Sequence, residues 1–311
     1  MNGIVAAFGA TGLYYVGFAV FKLAADRMMP LRGNRLLQMV WVIVTDWVFL
    51  AGLAIVLGGL TLQIIALGHL PLGVAVPVFM SGVIPLLLIA MAFFGDRLTA
   101  REWLSLALTG VAILMLTASV GDPPPIRTVD LPLWKLAAVA VPAVLVPLAI
   151  ISFGDRSPDG RHARPVTGIA YGLSCGFPVG TAELAIKGWS DSGGFTADII
   201  RTQYPYVTVL AAAFGFGIMV AAFQRVRVSV VATVMTVSAK TYLLLGGTFL
   251  YGEPWPKDGM DAAMRVGALV LAVIAIAQFP RHRPVDEEAE PAAGEPAPAP
   301  DPFGGSAPGG P

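Results

Sequence analysis

Residues 168–188 read GIAYGLSCGFPVGTAELAIKG. Glycine recurs at Gly168, Gly172, Gly176 and Gly180, and Glu183 and Lys187 follow, again four apart. Glycine disfavours a helix in water by about 1 kcal/mol relative to alanine, yet the rest of this stretch is as apolar as a membrane span. Inside a bilayer the balance changes, because an unpaired backbone group has no water to turn to. At 3.6 residues per turn the four glycines share one helix face, and Glu183 and Lys187 fall within the same arc. Small residues four apart let two helices approach closely in lipid. The stretch therefore predicts a transmembrane helix that packs closely along its inner half. Its outer half turns charge toward the protein interior, with Glu183 facing Lys240 across a helix interface.

The whole chain agrees with that reading. Of 311 residues 56% are hydrophobic and 13% charged, against about 25% charged in soluble domains. Twenty Lys and Arg balance twenty Asp and Glu, so no basic excess points to a nucleic acid. Cys175 is the sole cysteine, which excludes an internal disulfide and a multi-cysteine metal centre. His69, His162 and His282 show no metal-ligand spacing. There is no phosphate-cradling Gly-rich loop with a following Lys-Ser/Thr and no His-Glu-x-x-His. No nucleophile, base and acid cluster either. The expectation is a protein that is not an enzyme and holds no cofactor and no metal.

A helix needs about 20 apolar residues to cross about 30 Å of hydrocarbon. Nine segments qualify: 3–24, 46–68, 71–94, 101–119, 133–153, 167–188, 204–223, 228–250 and 261–279. Residues 35–45 (RLLQMVWVIVT) read as an interfacial lead-in, with a short tenth span as the alternative. The fold class is an all-α membrane protein. With nine spans, Arg27, Arg32, Arg35, Arg97, Arg101, Arg156, Arg161, Arg164, Arg225, Arg227, Arg281 and Arg283 gather on one side. Basic loops favour the cytoplasm, so the N-terminus is expected outside and the C-terminus in the cytoplasm. The first apolar run precedes its charges and so is not a cleaved signal peptide. Residues 281–311, rich in Pro, Ala, Gly and Glu, are expected to be a disordered cytoplasmic tail.

GIVAAFGATGLYYVGFAVFKLAAD (3–26) overlays GIAYGLSCGFPVGTAELAIKGWSD (168–191). Lys22 falls on Lys187 and Asp26 on Asp191. AFFGDRLTA (92–100) overlays TFLYGEPWP (248–256), with Asp96 on Glu253. The transmembrane domain, 1–280, then comprises one repeat over 3–119, a linker helix over 133–153 and a second repeat over 167–279. Corresponding helices lie five spans apart, so the halves are inverted, as in many secondary transporters.

Three stretches carry a family resemblance. LQIIALGHLPLGVAVPV (62–78) is similar to a pattern of Gln or aromatic, Ala-Leu, a short loop, Pro-Leu and a later Pro. FFGDRLTAREWLSLALTGVAILML (93–116) is similar to a Gly-Glu helix junction, with Asp96 where Glu is usual, and FLYGEPWP (249–256) repeats that junction with Glu253. These patterns resemble the drug/metabolite transporter superfamily in its EamA-like and NIPA-like branches. AELAIKGWSDSGGFT (182–196) is also similar to the first helix of the small multidrug-resistance branch. The resemblance implies a transporter of small solutes working between inverted repeats. Nine spans and an outside N-terminus look more like the NIPA branch, which implies magnesium.

An ionisable residue at bilayer depth is by default a functional-site hypothesis. Glu183, Lys187 and Lys240 qualify. At about 1.5 Å per residue, Glu183 and Lys240 both lie roughly 20 Å up their spans, and Gln63 falls at a similar level. Tyr14, with Tyr15 and Thr11, could line a pocket in the first span. Lys187 reads as a helical neighbour of Glu183, and Lys22 as a side chain reaching the interface. Pro77, Pro85 and Pro178 break or bend their helices. Trp47, Trp103, Trp134 and Trp189 read as interface residues.

The expected function is a secondary transporter of a small solute, with proton coupling at Glu183 and Lys240 as counter-charge, in the plasma membrane. A divalent-cation pathway and a non-transporting scaffold acting through its tail are the alternatives. The expected partners are the bilayer and a small-molecule or ion substrate, with a homodimer left open.

Overall fold

The structure, a computed structural model, describes residues 2–28, 36–94, 99–119, 131–154, 167–251 and 255–278. The expected tail and the junction residues Gly95, Asp96, Gly252 and Glu253 lie outside the described residues. Residues Met1–Arg281 form one unit. Its elements are α1 (Gly3–Arg27), α2 (Leu36–Thr45), α3 (Trp47–Leu67), α4 (Leu72–Ser81), α5 (Val83–Phe94) and α6 (Ala100–Ala118). There follow α7 (Leu133–Gly154), α8 (Thr167–Asp191), a 3-10 turn at Ala197–Arg201, α9 (Tyr204–Phe223), α10 (Val228–Tyr251) and α11 (Gly259–Ala277). No strand occurs among the described residues.

The described residues of the nine expected segments are helical apart from their ends and a break within 71–94. Seven helices among the described residues (α1, α3, α6, α8, α9, α10 and α11) are long and apolar enough to cross a membrane. The chain is a multi-pass, all-α membrane protein. The segment expected as one span over 71–94 is two helices meeting at Gly82. Pro85 sits in the first turn of α5, where a missing N–H is tolerated. Pro178 does not break α8, which runs unbroken from Thr167 to Asp191. Residues 36–45 form a separate helix of 10 residues, about 15 Å long at 1.5 Å per residue. It ends where the Asp46 side chain accepts the Phe49 N–H at 2.7 Å and caps α3.

Close approach organises the pairs. A Cβ on Gly172 would lie 2.6 Å from Val234 Cβ, one on Gly176 2.9 Å from the Met235 carbonyl oxygen, and one on Gly180 2.9 Å from the Ala239 carbonyl oxygen. Gly168 meets Val226 and Val230. The glycine face of α8 thus lies directly on α10, where any side chain would push the helices apart. On the other side of the molecule α1 packs on α3 through Gly17, Gly52 and Gly59.

Hydrogen bonds fix which helix ends lie together. At one end Lys22 Nζ donates to the Phe223 carbonyl (3.0 Å) and Gln224 Nε2 to the Ala25 carbonyl (2.9 Å), joining the ends of α1 and α9. Arg227, before α10, pairs with Glu102 at the start of α6. At the opposite end Ser190 Oγ donates to the Ile64 carbonyl (2.8 Å), joining the ends of α8 and α3. Arg265 of α11 reaches Ser119 after α6. α8 and α10 are the most enclosed of the long helices, and α6 and α11 the least. Trp47, Trp103 and Trp134 are exposed at helix ends, while Trp189 donates to the Gly194 carbonyl.

Candidate functional site

Lys240 and Glu183 meet where α10 crosses α8. Lys240 Nζ donates to Glu183 Oε1, and each residue is only 6% exposed. The glycine face explains the encounter: it brings the two backbones close one turn before Glu183. The ammonium also lies 4.6 Å from the centroid of the Phe79 ring, a cation–π contact. Glu183 Oε2 is buried without a hydrogen-bond partner.

This pair forms part of the wall of a cavity of about 770 Å³. α1 contributes Thr11, Tyr14, Tyr15 and Phe18, and α4 contributes Phe79. Most of the remaining wall is aliphatic and aromatic, from α3, α8, α9 and α10. The break between α4 and α5 lies beside it. A Cβ on Gly82 would be 2.8 Å from Tyr15 Cδ2 and would overlap Thr11 Cγ2. Tyr15 donates weakly to the Phe79 carbonyl, 3.5 Å away. Interrupted helices beside a cavity recur at transporter sites. Tyr171 and Arg225, hydrogen-bonded to each other, line the cavity toward the shared end of α1 and α9. Tyr171 is 12 residues before Glu183 on α8, so the cavity extends about 18 Å along that helix at 1.5 Å per residue.

The five residues singled out in the sequence divide in three. Glu183, Lys240 and Tyr14 line the cavity. Gln63 is fully buried behind it, accepting a hydrogen bond from the Tyr14 hydroxyl at 2.5 Å. Lys187 lies beyond the cavity, and its partner is not Glu183. It pairs with Asp191 at 2.9 Å and donates to the Leu67 carbonyl at 3.3 Å. α8 continues through Asp191, which places that carboxylate one turn past Lys187, while Lys240 occupies Glu183. Lys22 likewise is held rather than free at the interface: it pairs with Asp26 and reaches the Phe223 carbonyl.

Three features have little signal in the sequence. Arg225 reads there as a loop charge, and its meeting with Tyr171 depends on a loop turning back toward α8. The Glu102–Arg227 pair had a partial signal. Thr99 and Glu102 form a capping box at the start of α6, and that spacing is legible in a sequence. Third, Thr208 lines the cavity with a buried hydroxyl that lacks a hydrogen-bond partner.

Chemically, the site holds a buried, unpartnered acceptor at Glu183 Oε2, further donors on Lys240 Nζ and a long apolar wall. Among the described residues no group of three or more His, Cys, Asp and Glu gathers to hold a metal ion. Comparison with protein-family models, with curated proteins and with solved structures finds no match to this chain.

Proposed function

We propose that the chain is a secondary transporter of a small solute that works by alternating access between two inverted repeats. The observation that carries the reading is a pair of matching Lys–Asp clasps. Lys22 of α1 pairs with Asp26 and donates to the last carbonyl of α9, Phe223. Lys187 of α8 pairs with Asp191 and donates to the last carbonyl of α3, Leu67. The repeat superposes Lys22 on Lys187 and Asp26 on Asp191, and α3 corresponds to α9. The same contact is therefore made twice, at opposite ends of the molecule.

The wider packing repeats in the same way. α1 lies on α3 as α8 lies on α9, and α3 touches α8 as α9 touches α1. α6 packs on its counterpart α11, and α10 on the α4–α5 pair that corresponds to it. The two clasps differ in burial. Side chains at Lys187 and Asp191 are 4% and 2% exposed, against 17% and 47% at Lys22 and Asp26. The cavity runs toward the looser clasp, through Tyr171 and Arg225. Closing one clasp and loosening the other is what an alternating cavity requires.

In this reading the chain spans the plasma membrane nine times, with the N-terminus outside and the C-terminus in the cytoplasm. The tight clasp is external and the cavity faces inward. The overlay and the junction motifs favour membership of the drug/metabolite transporter superfamily. Glu183 and Lys240 form the charged floor of the substrate path, and proton exchange at Glu183 would couple transport. A magnesium path is disfavoured, because Mg²⁺ seeks carboxylate oxygens and the carboxylate available is held by an ammonium. The test is an exchange screen over a solute panel in proteoliposomes, with Lys240→Met and Glu183→Gln as controls. Exchange by the wild-type chain that both variants lose, while staying folded, supports the reading. Exchange that neither variant alters refutes it.

A further inference from the structure

The transport reading leaves the substrate open, and the cavity wall narrows it. Its exposed lining residues are Val44 on α2, Leu57 on α3, Val209, Leu210 and Ala213 on α9, and Arg225 just beyond. All but Arg225 are apolar and lie on helices. α3 and α9 make no extended contact with each other, although each packs closely on a neighbour. At these exposed residues the cavity reaches the surface that an apolar helix bundle presents to lipid. Water-soluble solutes gain nothing from such an opening, whereas solutes dissolved in the bilayer pass through it without crossing a polar layer.

The inner end of the cavity fixes the head-group chemistry. Glu183 Oε2 is an acceptor without a partner. Lys240 Nζ carries three N–H donors, of which one is used on Glu183 Oε1. Thr208, on the wall, adds a buried hydroxyl without a partner. The ion pair itself is neutral overall. A ligand with a net charge would leave an uncompensated charge in a buried, apolar place, which is strongly unfavourable. A head that both donates and accepts satisfies the groups present. The volume of about 770 Å³ falls in the range of about 300–1,000 Å³ typical of small-molecule sites, and the long axis suits an extended apolar tail. We infer that the cavity takes a membrane-soluble amphiphile, admitted sideways from the bilayer between α3 and α9. Its uncharged head donates to Glu183 Oε2 and accepts from Lys240 Nζ. This assignment deepens the transport reading and rests on the same cavity.

The test uses the full chain in nanodiscs and tritiated dodecanamide, a neutral amide head on an apolar tail, with empty nanodiscs measuring partition into lipid. Saturable binding above that background is expected, with laurate and dodecylamine competing poorly. Gly217 lines the cavity on α9, and a Cβ there meets nothing within 4 Å. Gly217→Trp therefore fits the fold and fills the opening, and dodecanamide binding should weaken about tenfold or more. Glu183→Gln leaves Lys240 without its counter-charge. Its effect should be a switch of preference, with the amide weakened about tenfold and laurate newly bound. A merely structural role for Glu183 would not produce that switch.

The assignment is overturned if dodecanamide shows no saturable binding, if the wild-type chain prefers laurate, or if neither variant changes amide binding. Preference for laurate in the wild type would place the head at Arg225 instead. The two readings fail separately. Dodecanamide that binds as described but is not exchanged between vesicles refutes transport and leaves the ligand assignment standing. A water-soluble solute exchanged in a Lys240-dependent way, with no dodecanamide binding, does the reverse.

Discussion

Replacing Lys240 by methionine removes one half of a buried ion pair and keeps most of the side-chain volume. Glu183 is 6% exposed, one of its oxygens already lacks a partner, and the other is held by Lys240. Breaking a buried pair from one side costs about 3–5 kcal/mol. The lower figure applies here, because an unfolded chain in a membrane also finds polar partners. A loss of about 3 kcal/mol is expected for Lys240→Met. Glu183→Gln should cost less, about 2 kcal/mol, since the ammonium keeps the Phe79 ring. Combining the two changes removes both charges, so the double variant should lose no more than about 2 kcal/mol. The cycle is measured by SDS-driven unfolding in mixed micelles, followed by tryptophan emission. Coupling of at least about 3 kcal/mol is expected for residues in direct contact. Additive losses, within about 0.5 kcal/mol, would refute the pairing and with it the charged floor of the cavity.

Three further outcomes follow from local geometry. Gly176→Ala should lose about 1–3 kcal/mol by overpacking α8 against α10, whereas Gly110→Ala, where an added Cβ meets nothing within 4 Å, should gain about 0.5 kcal/mol; the same unfolding assay separates them. Tyr14→Phe should cost about 1–2 kcal/mol by leaving the buried Gln63 amide without its hydroxyl partner, and adding Gln63→Leu should recover most of the loss. Glu102→Ala should destabilise more than Glu102→Gln by about 1 kcal/mol, because glutamine retains the Thr99 capping interaction that alanine loses; equal losses would show that the Arg227 pair alone matters.

The helices were legible because each is a run of apolar residues close to the thickness of a bilayer, and that constraint acts locally. The α8–α10 interface was legible for a related reason. A four-residue glycine period is a surface pattern, and depth counted along two helices brings Glu183 level with Lys240. What the sequence hid depends on how far a helix runs or where it stops. Lys187 reads as a neighbour of Glu183 when the span ends at residue 188; one more turn of α8 supplies Asp191 as the partner. The interruption at Gly82 has a local cause in Pro85, which cannot donate to the Ser81 carbonyl four residues back and whose ring crowds it. What the sequence does not show is why Gly82 stands there: it fits the space left by Thr11 and Tyr15, a tertiary fact. Arg225 and Tyr171 meet through a loop, which hydropathy does not describe.

Alternating access itself is tested most directly by which side of the membrane reaches the cavity. Thr236 lines it and is 5% exposed. Thr236→Cys, placed in a Cys175→Ala background, is labelled with a membrane-impermeant maleimide from each face of sealed vesicles. The account predicts labelling from both faces, faster from the face bearing Lys22. It also predicts that Lys187→Met, by releasing the tight clasp, raises labelling from the opposite face and lowers it from the first. Labelling confined to one face, unchanged by Lys187→Met, would contradict it.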